Sequence, residues 1–178
     1  MTTIPATALT REIASEQRTV WTYPRALTFE EWLEVETGSD DLTELIDGAL
    51  VEAPTFTLAT AKLWGWLHCV IGLVVAERRF GILLGSRSPV RINDYRGRMP
   101  DLFFVRRENQ DRVGQKATTV APDLVIEIVS PGDRPSDVVA LETDYRSIGV
   151  GEIVFIDTRR GRVRVLRRGD AGYSDEEL

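Results

Sequence analysis

The chain has one cysteine (Cys69), one histidine (His68) and only two lysines (Lys62 and Lys116) among 178 residues. A single cysteine excludes an intrachain disulfide and a cysteine-built metal cluster, and it fits a reducing cytoplasm, the expected location. A single histidine leaves little room for a Ser-His-Asp triad. Ser130, in Ile128-Val129-Ser130-Pro131-Gly132, also lacks the G-x-S-x-G frame of a nucleophile elbow. His68 reads as a packed or surface residue of an apolar helix, and Cys69 beside it as core. Long apolar runs are missing too. The stretch from Leu63 to Ala76 is broken by Lys62, His68 and Glu77 and reads as too short to span a bilayer, so no membrane partner is expected. The opening residues, MTTIPATALTREIASEQRT, carry charges and no apolar core, which excludes a signal peptide.

What is present is acidic overall, with a net charge of −6. That balance argues against a protein that coats nucleic acid, because phosphate binding is driven by lysine and arginine. The distribution is less one-sided. Arginines gather at 87–107 and 159–168, where they form either a solvated polar surface or a face that meets phosphates. The length suits one domain with a sizeable core, placed at 21–170 between a flexible arm (1–20) and a short tail (171–178).

Within that domain, Thr28 and Glu31 have the capping-box spacing, and Phe29, Trp32 and Leu33 give the short helix after them an apolar stripe. Gly38-Ser39-Asp40-Asp41 closes it. The Asp47-Gly48 pair between apolar runs predicts a hairpin with strands near 43–46 and 49–52, the second ended by Pro54. Leu63, Leu67, Val70, Ile71, Val74 and Val75 predict a helix over 57–80. Trp64 and Trp66 cannot share a face of it, so one of them meets a loop or a partner subunit, and a homodimer is expected. The second half is a run of short β-type segments interrupted by one helix near 136–148, capped by Ser136 and stopped by Gly149. Its strand–helix–strand order predicts a crossover unit, and Gly161 marks a turn between the last strands.

Two segments place an acid in or beside a strongly apolar strand: Met99-Pro100-Asp101-Leu102-Phe103-Phe104-Val105 and Pro122-Asp123-Leu124-Val125-Ile126-Glu127-Ile128-Val129. By strand alternation Glu127 shares a face with Val125 and Val129. A carboxylate there is costly unless a metal or hydrogen-bond donors compensate it; the alternative is an edge strand with Glu127 in water or paired with arginine. Asp101, after a proline, reads by itself as a turn acid. Carboxylates on neighbouring strands suit a hard divalent cation, which activates water and stabilises a phosphoryl transition state. Glu44, on the first hairpin strand, reads locally as a solvent-facing residue and is a third candidate.

Taken in order, Glu44-Leu45-Ile46-Asp47-Gly48, Pro100-Asp101, Glu127-Ile128-Val129-Ser130-Pro131, Gly149-Val150 and Val154-Phe155-Ile156-Asp157 resemble the Uma-type (Uma-two) endonucleases of the PD-(D/E)XK nuclease superfamily, over about residues 28–168. The resemblance implies a restriction-endonuclease-like α/β fold: a central mixed sheet flanked by helices, with an N-terminal hairpin. It implies hydrolysis of phosphodiester bonds in nucleic acid, DNA ahead of RNA, with Mg²⁺ or Mn²⁺. Asp101, Glu127 and the Ile128 carbonyl would hold the metal, and Glu44 would complete the catalytic acids. The chain departs from the pattern where the superfamily has a lysine two residues after the glutamate: Val129 stands there. The alternative position on the following helix is Leu141. Lys116, Arg134 and Arg146 remain as sources of positive charge, although arginine is a poor proton acceptor. A second reading is therefore a nuclease-fold protein that binds nucleic acid or a protein partner without cleaving, and a third is a purely structural or oligomeric module.

Overall fold

The computed structural model describes residues 3–13, 18–36, 42–53 and 57–178. The N-terminal half builds a parallel two-stranded pair and four strands of an antiparallel sheet. Strands β1 (Ile4–Pro5), β2 (Thr10–Ile13) and β3 (Thr19–Thr22) precede the one-turn helix α1 (Phe29–Trp32) and strand β4 (Val35–Glu36). Next come β5 (Thr43–Ile46) and β6 (Ala49–Glu52), joined by the expected hairpin. Asp47 at φ 51° and Gly48 at φ 80° supply the two left-handed positions of a type I′ turn. A side chain is barred from position 48 on a second count, because a Cβ there would lie 2.5 Å from Ala26 Cβ. Helix α1 carries the predicted capping box, with Thr28 Oγ1 accepting from Glu31 N and Glu31 Oε2 from Thr28 N. It buries Phe29 and Trp32 in a small core with Leu27, Leu45 and Leu50. The stop at 38–41 and Pro54 lie outside the described residues.

Helix α2 (Leu58–Arg78) leads into β7 (Gly81–Gly85), β8 (Val90–Asn93), β9 (Arg96–Arg98) and β10 (Leu102–Arg106). Then follow β11 (Leu124–Val129), α3 (Pro135–Ile148), β12 (Glu152–Asp157), β13 (Arg162–Gly169) and β14 (Gly172–Glu177). Besides the β1-β4 pair, two six-stranded sheets result, with orders β2-β3-β6-β5-β9-β8 and β14-β13-β12-β11-β10-β7. The second is mixed. β11 and β12 run parallel through the α3 crossover, as the strand–helix–strand pattern predicts, and the other neighbours are antiparallel. It is flanked on both faces. Tyr145, Leu141 and Val138 of α3 pack with Val125, Val129, Ile153 and Phe155 on one side. On the other, α2 brings Trp64 against Gly85 and Gly72 towards Leu83.

Five expectations are corrected. Thr10–Ile13 is not a loose arm but pairs with Thr19–Thr22, and Gly172–Glu177 is not a tail but an edge strand paired along β13. Their polar, charge-rich composition hid strands that are exposed on most of their positions. Helix α3 starts one turn-position earlier than Ser136 suggested: Pro135 occupies the first helical position and the Asp137 carboxylate accepts from Arg134 N at 3.2 Å, while Gly149, at φ 79°, is the expected stop. Cys69 is exposed, not core. The helix that carries it is 21 residues long with mean hydropathy 1.6, long and apolar enough by length and composition to cross a membrane, so the stretch is not too short after all.

Candidate active site

Asp101 sits just before β10, where the partner strand β11 still continues. Leu102 pairs with Ile126, so the same register sets Pro100 opposite Ile128, and proline has no N–H to give the Ile128 carbonyl. The Ile128 N–H, on the same edge, goes to the acid's side chain instead. Asp101 Oδ2 accepts from Ile128 N at 2.7 Å, and Asp101 N points at Glu127 Oε2 at 3.4 Å. The two carboxylates are thus held against each other by backbone groups. Glu127 faces α3, as alternation with Val125 and Val129 requires, and is only 8% exposed. There Tyr145, fully buried in the same layer, donates its hydroxyl to Glu127 Oε1 at 2.5 Å.

Neither carboxylate has an ion pair with any described residue, and the electrostatics follow. Burial pushes the Asp101 carboxyl up to about 7, opposed by the Ile128 N–H and reinforced by the charges of Asp133 and Glu44. Burial raises Glu127 well above the usual carboxylate range, with Asp101 and Glu44 adding to it and the Tyr145 hydroxyl working against it. Two adjacent acids, one buried and one half-buried, thus resist ionisation side by side.

The facing wall comes from the other sheet. Glu44, on β5, accepts from Met99 N at 3.1 Å and from Arg98 Nη1 at 2.6 Å. Buried Arg98 also holds Asp144 of α3 through Nε at 2.7 Å and Nη2 at 2.6 Å. Arg96 bridges Asp144 at 3.2 Å and Asp47 at 2.6 Å. Burial disfavours the Arg98 charge, but Glu44 and Asp144 outweigh it and keep the guanidinium firmly protonated. Glu44 therefore lies at the site but is committed to an arginine, neither exposed as local reading suggested nor free as a third ligand. Between the walls lies a cavity of about 680 Å³, lined by Glu44, Arg98, Asp101, Glu127 and Ile128 and by Leu141 from α3.

Comparison with known proteins decides the family. The Uma2 family, described as "Putative restriction endonuclease", matches residues 28–178. The chain belongs to the Uma2 family. No curated protein matches it. Among solved structures, the crystal structure of a "putative nuclease belonging to DUF820" from Anabaena variabilis is similar at 20% identity, with a TM-score of 0.72 over 85% of this chain and 84% of that one. The fold is thus restriction-endonuclease-like.

For a Uma2 chain, a divalent cation is the natural group to test against these residues. Among the described residues no three Asp, Glu, His or Cys side chains form a ready-made metal cluster. Mg²⁺, however, is commonly held by one or two carboxylates with water and substrate phosphate completing its shell. Asp101, Glu127 and the carbonyl of Ile128, which lacks a proline donor opposite, fit that mode.

The lysine expected of the superfamily is not supplied. Val129 is buried in the core and Leu141 lines the cavity. Lys116 does not reach in: its Nζ pairs with Glu34 at 2.5 Å, beside the other core. Arg146 pairs with Glu142 at 2.9 Å. The positive side chains lining the cavity are arginines: Arg18, Arg87, Arg96, Arg98 and Arg134. Ser130 is no nucleophile; its N and Oγ both donate to Asp133 Oδ2, at 2.6 and 2.9 Å, closing the turn after β11.

Sequence reading missed Arg98, Asp144 and Tyr145 as site residues. Arg96-Gly97-Arg98 carried one signal: two arginines on one short strand face around a glycine, where a Cβ would meet Trp32 at 2.3 Å. The pairing with Asp144 spans 46 positions and has no local signature.

Proposed function

We propose that this chain is a metal-dependent nuclease that hydrolyses phosphodiester bonds in nucleic acid, with DNA ahead of RNA as substrate because its family is described as a restriction endonuclease. The observation that carries the reading is the Asp101–Glu127 pair: adjacent, half-buried and buried respectively, without a cationic partner among the described residues, and open to a cavity. Mg²⁺ or Mn²⁺ bound there supplies a Lewis acid and a water of lowered pKa. The chain's own residues do the rest. Asp101 and Glu127 bind, and Tyr145 fixes the Glu127 rotamer by its hydrogen bond. Arg98 holds the Glu44 carboxylate in place at the facing wall.

A specific observation supports a second reading, binding without cleavage. No lysine lines the cavity, and Leu141 stands on the helix face that the superfamily uses for one. Arginines bound to Asp137, Asp144 and Glu44 are poor proton carriers. One experiment separates the readings. Purified protein is incubated with plasmid, single-stranded DNA and RNA in Mg²⁺ or Mn²⁺, alongside Asp101→Ala and Glu127→Gln. Cleavage by the wild type and not by the variants supports the nuclease. Metal-dependent retention of nucleic acid without cleavage supports the second reading, and the absence of both removes each.

A further inference from the structure

Helix α2 is apolar around its whole circumference yet buried on one side only. A helix with apolar residues on all faces belongs inside a structure. Here Thr60, Trp64, Leu67, Ile71 and Val75 recur at helical spacing and turn towards the sheet, and Trp64 Nε1 donates to the Asp101 carbonyl at 2.8 Å. The opposite side carries Trp66, Cys69, Leu73 and Ala76, a 3-4 spaced stripe, and Phe80 is exposed just past the helix end. Trp66 is 61% and Leu73 66% exposed, with Val70 and Val74 flanking them. These exposed side chains offer on the order of 700 Å² per copy, close to the ~800 Å² that a stable pairwise interface needs from each partner.

We propose that this face is the interface of a two-fold dimer in which the α2 helices of two copies pack antiparallel. The sequence of the face is complementary to itself in that orientation and in no parallel one. Centring the pair between Cys69 and Val70 sets Lys62 opposite Glu77, Trp66 opposite Leu73 and Gly65 opposite Val74. Each contact occurs twice, as an isologous interface demands. Lys62 and Glu77 are exposed and have no ion pair among the described residues, so each is available to the other copy. A parallel pairing would set lysine against lysine and glutamate against glutamate. At Gly65 a Cβ would meet nothing within 4 Å, so this stretch admits close approach of a second helix. Both charge pairs form only if the helices stay nearly aligned over ~22 Å, which selects the shallow crossing of about 20° rather than the steep one.

The test uses the full chain. Sedimentation equilibrium at micromolar concentration gives a dimer, and a short bis-maleimide links Cys69, the only cysteine, to its mate near the two-fold axis. Leu73→Glu raises the dimer dissociation constant at least about a hundredfold by burying an unpaired charge. Because residue 73 is exposed in the single chain, its thermal unfolding as a monomer stays cooperative. Lys62→Glu and Glu77→Lys each weaken the dimer about threefold to tenfold, and the double exchange restores it. The proposal is overturned by a monomeric wild type, by a dimer indifferent to Leu73→Glu, or by a double exchange no tighter than its parents. Flotation of a monomeric wild type with phosphatidylcholine vesicles overturns it in favour of a lipid surface.

Discussion

Raising the pH of the metal-free protein from about 4 to about 8 should cost stability, and asparagine at position 101 should remove much of that cost. Folding lifts the Asp101 carboxyl from 3.8 to about 7. A raised acid means that the folded state holds a proton where the unfolded chain has released it. The stabilisation is complete below the unfolded value and is lost as pH climbs through the folded one. Roughly three units at about 1.4 kcal/mol each set an upper limit on the order of 4 kcal/mol. Glu127, raised in the same direction, adds a loss of the same sign and shares its titration with Asp101. Asp101→Asn keeps an oxygen for the Ile128 N–H and cannot ionise. Urea unfolding in EDTA at about pH 5 and pH 8 is the assay. The wild type should lose several kcal/mol across that interval and the variant distinctly less. On the proposed metal-binding role of the pair, adding Mn²⁺ should reverse the trend for the wild type. Parallel pH profiles for the two proteins, with no metal-dependent reversal, would refute the reasoning.

Tyr145→Phe removes the donor to Glu127 Oε1 and leaves a buried acceptor, so it should destabilise by about 1–3 kcal/mol in urea unfolding. It should also weaken Mn²⁺ binding measured by titration calorimetry. Arg98→Met strands Asp144 and Glu44 without their shared cation and should cost about 3–5 kcal/mol at neutral pH. Gly48→Ala combines a left-handed backbone with a collision against Ala26 and should cost upwards of about 1 kcal/mol, read as a drop in urea midpoint at unchanged slope.

Local chemistry made much of the fold legible. The Asp47-Gly48 turn, the Thr28–Glu31 capping box, the Gly149 stop and the apolar strands around Glu127 each announce themselves within a few residues, and each stands where expected. Strand alternation also put Glu127 on the correct face. The edge strands β2 and β14 were not legible, because an exposed strand needs no apolar alternation. The single-copy exposure of Cys69 escaped for a related reason: periodicity shows that a helix is apolar but not which face a neighbour covers. At the site, the two acids could be named from motif order, whereas the Arg98–Glu44–Asp144 bridge joins β9, β5 and α3 across long sequence separations. Arginine assignment was likewise beyond composition. Many of the arginines at 87–107 and 159–168 are tied to acids, as Arg91 is to Glu30 and Asp94 and Arg164 to Glu142 and Asp175.

The cavity walls belong to two sheets that share no strand, connected beside the site by the run from Arg98 through Pro100 into Leu102. Anything gripping Glu44's wall and Asp101's wall together acts as a clasp between two halves of the molecule. Occupancy should therefore be felt as a slowing of hydrogen exchange at the inner edges of both sheets, far beyond the atoms touched.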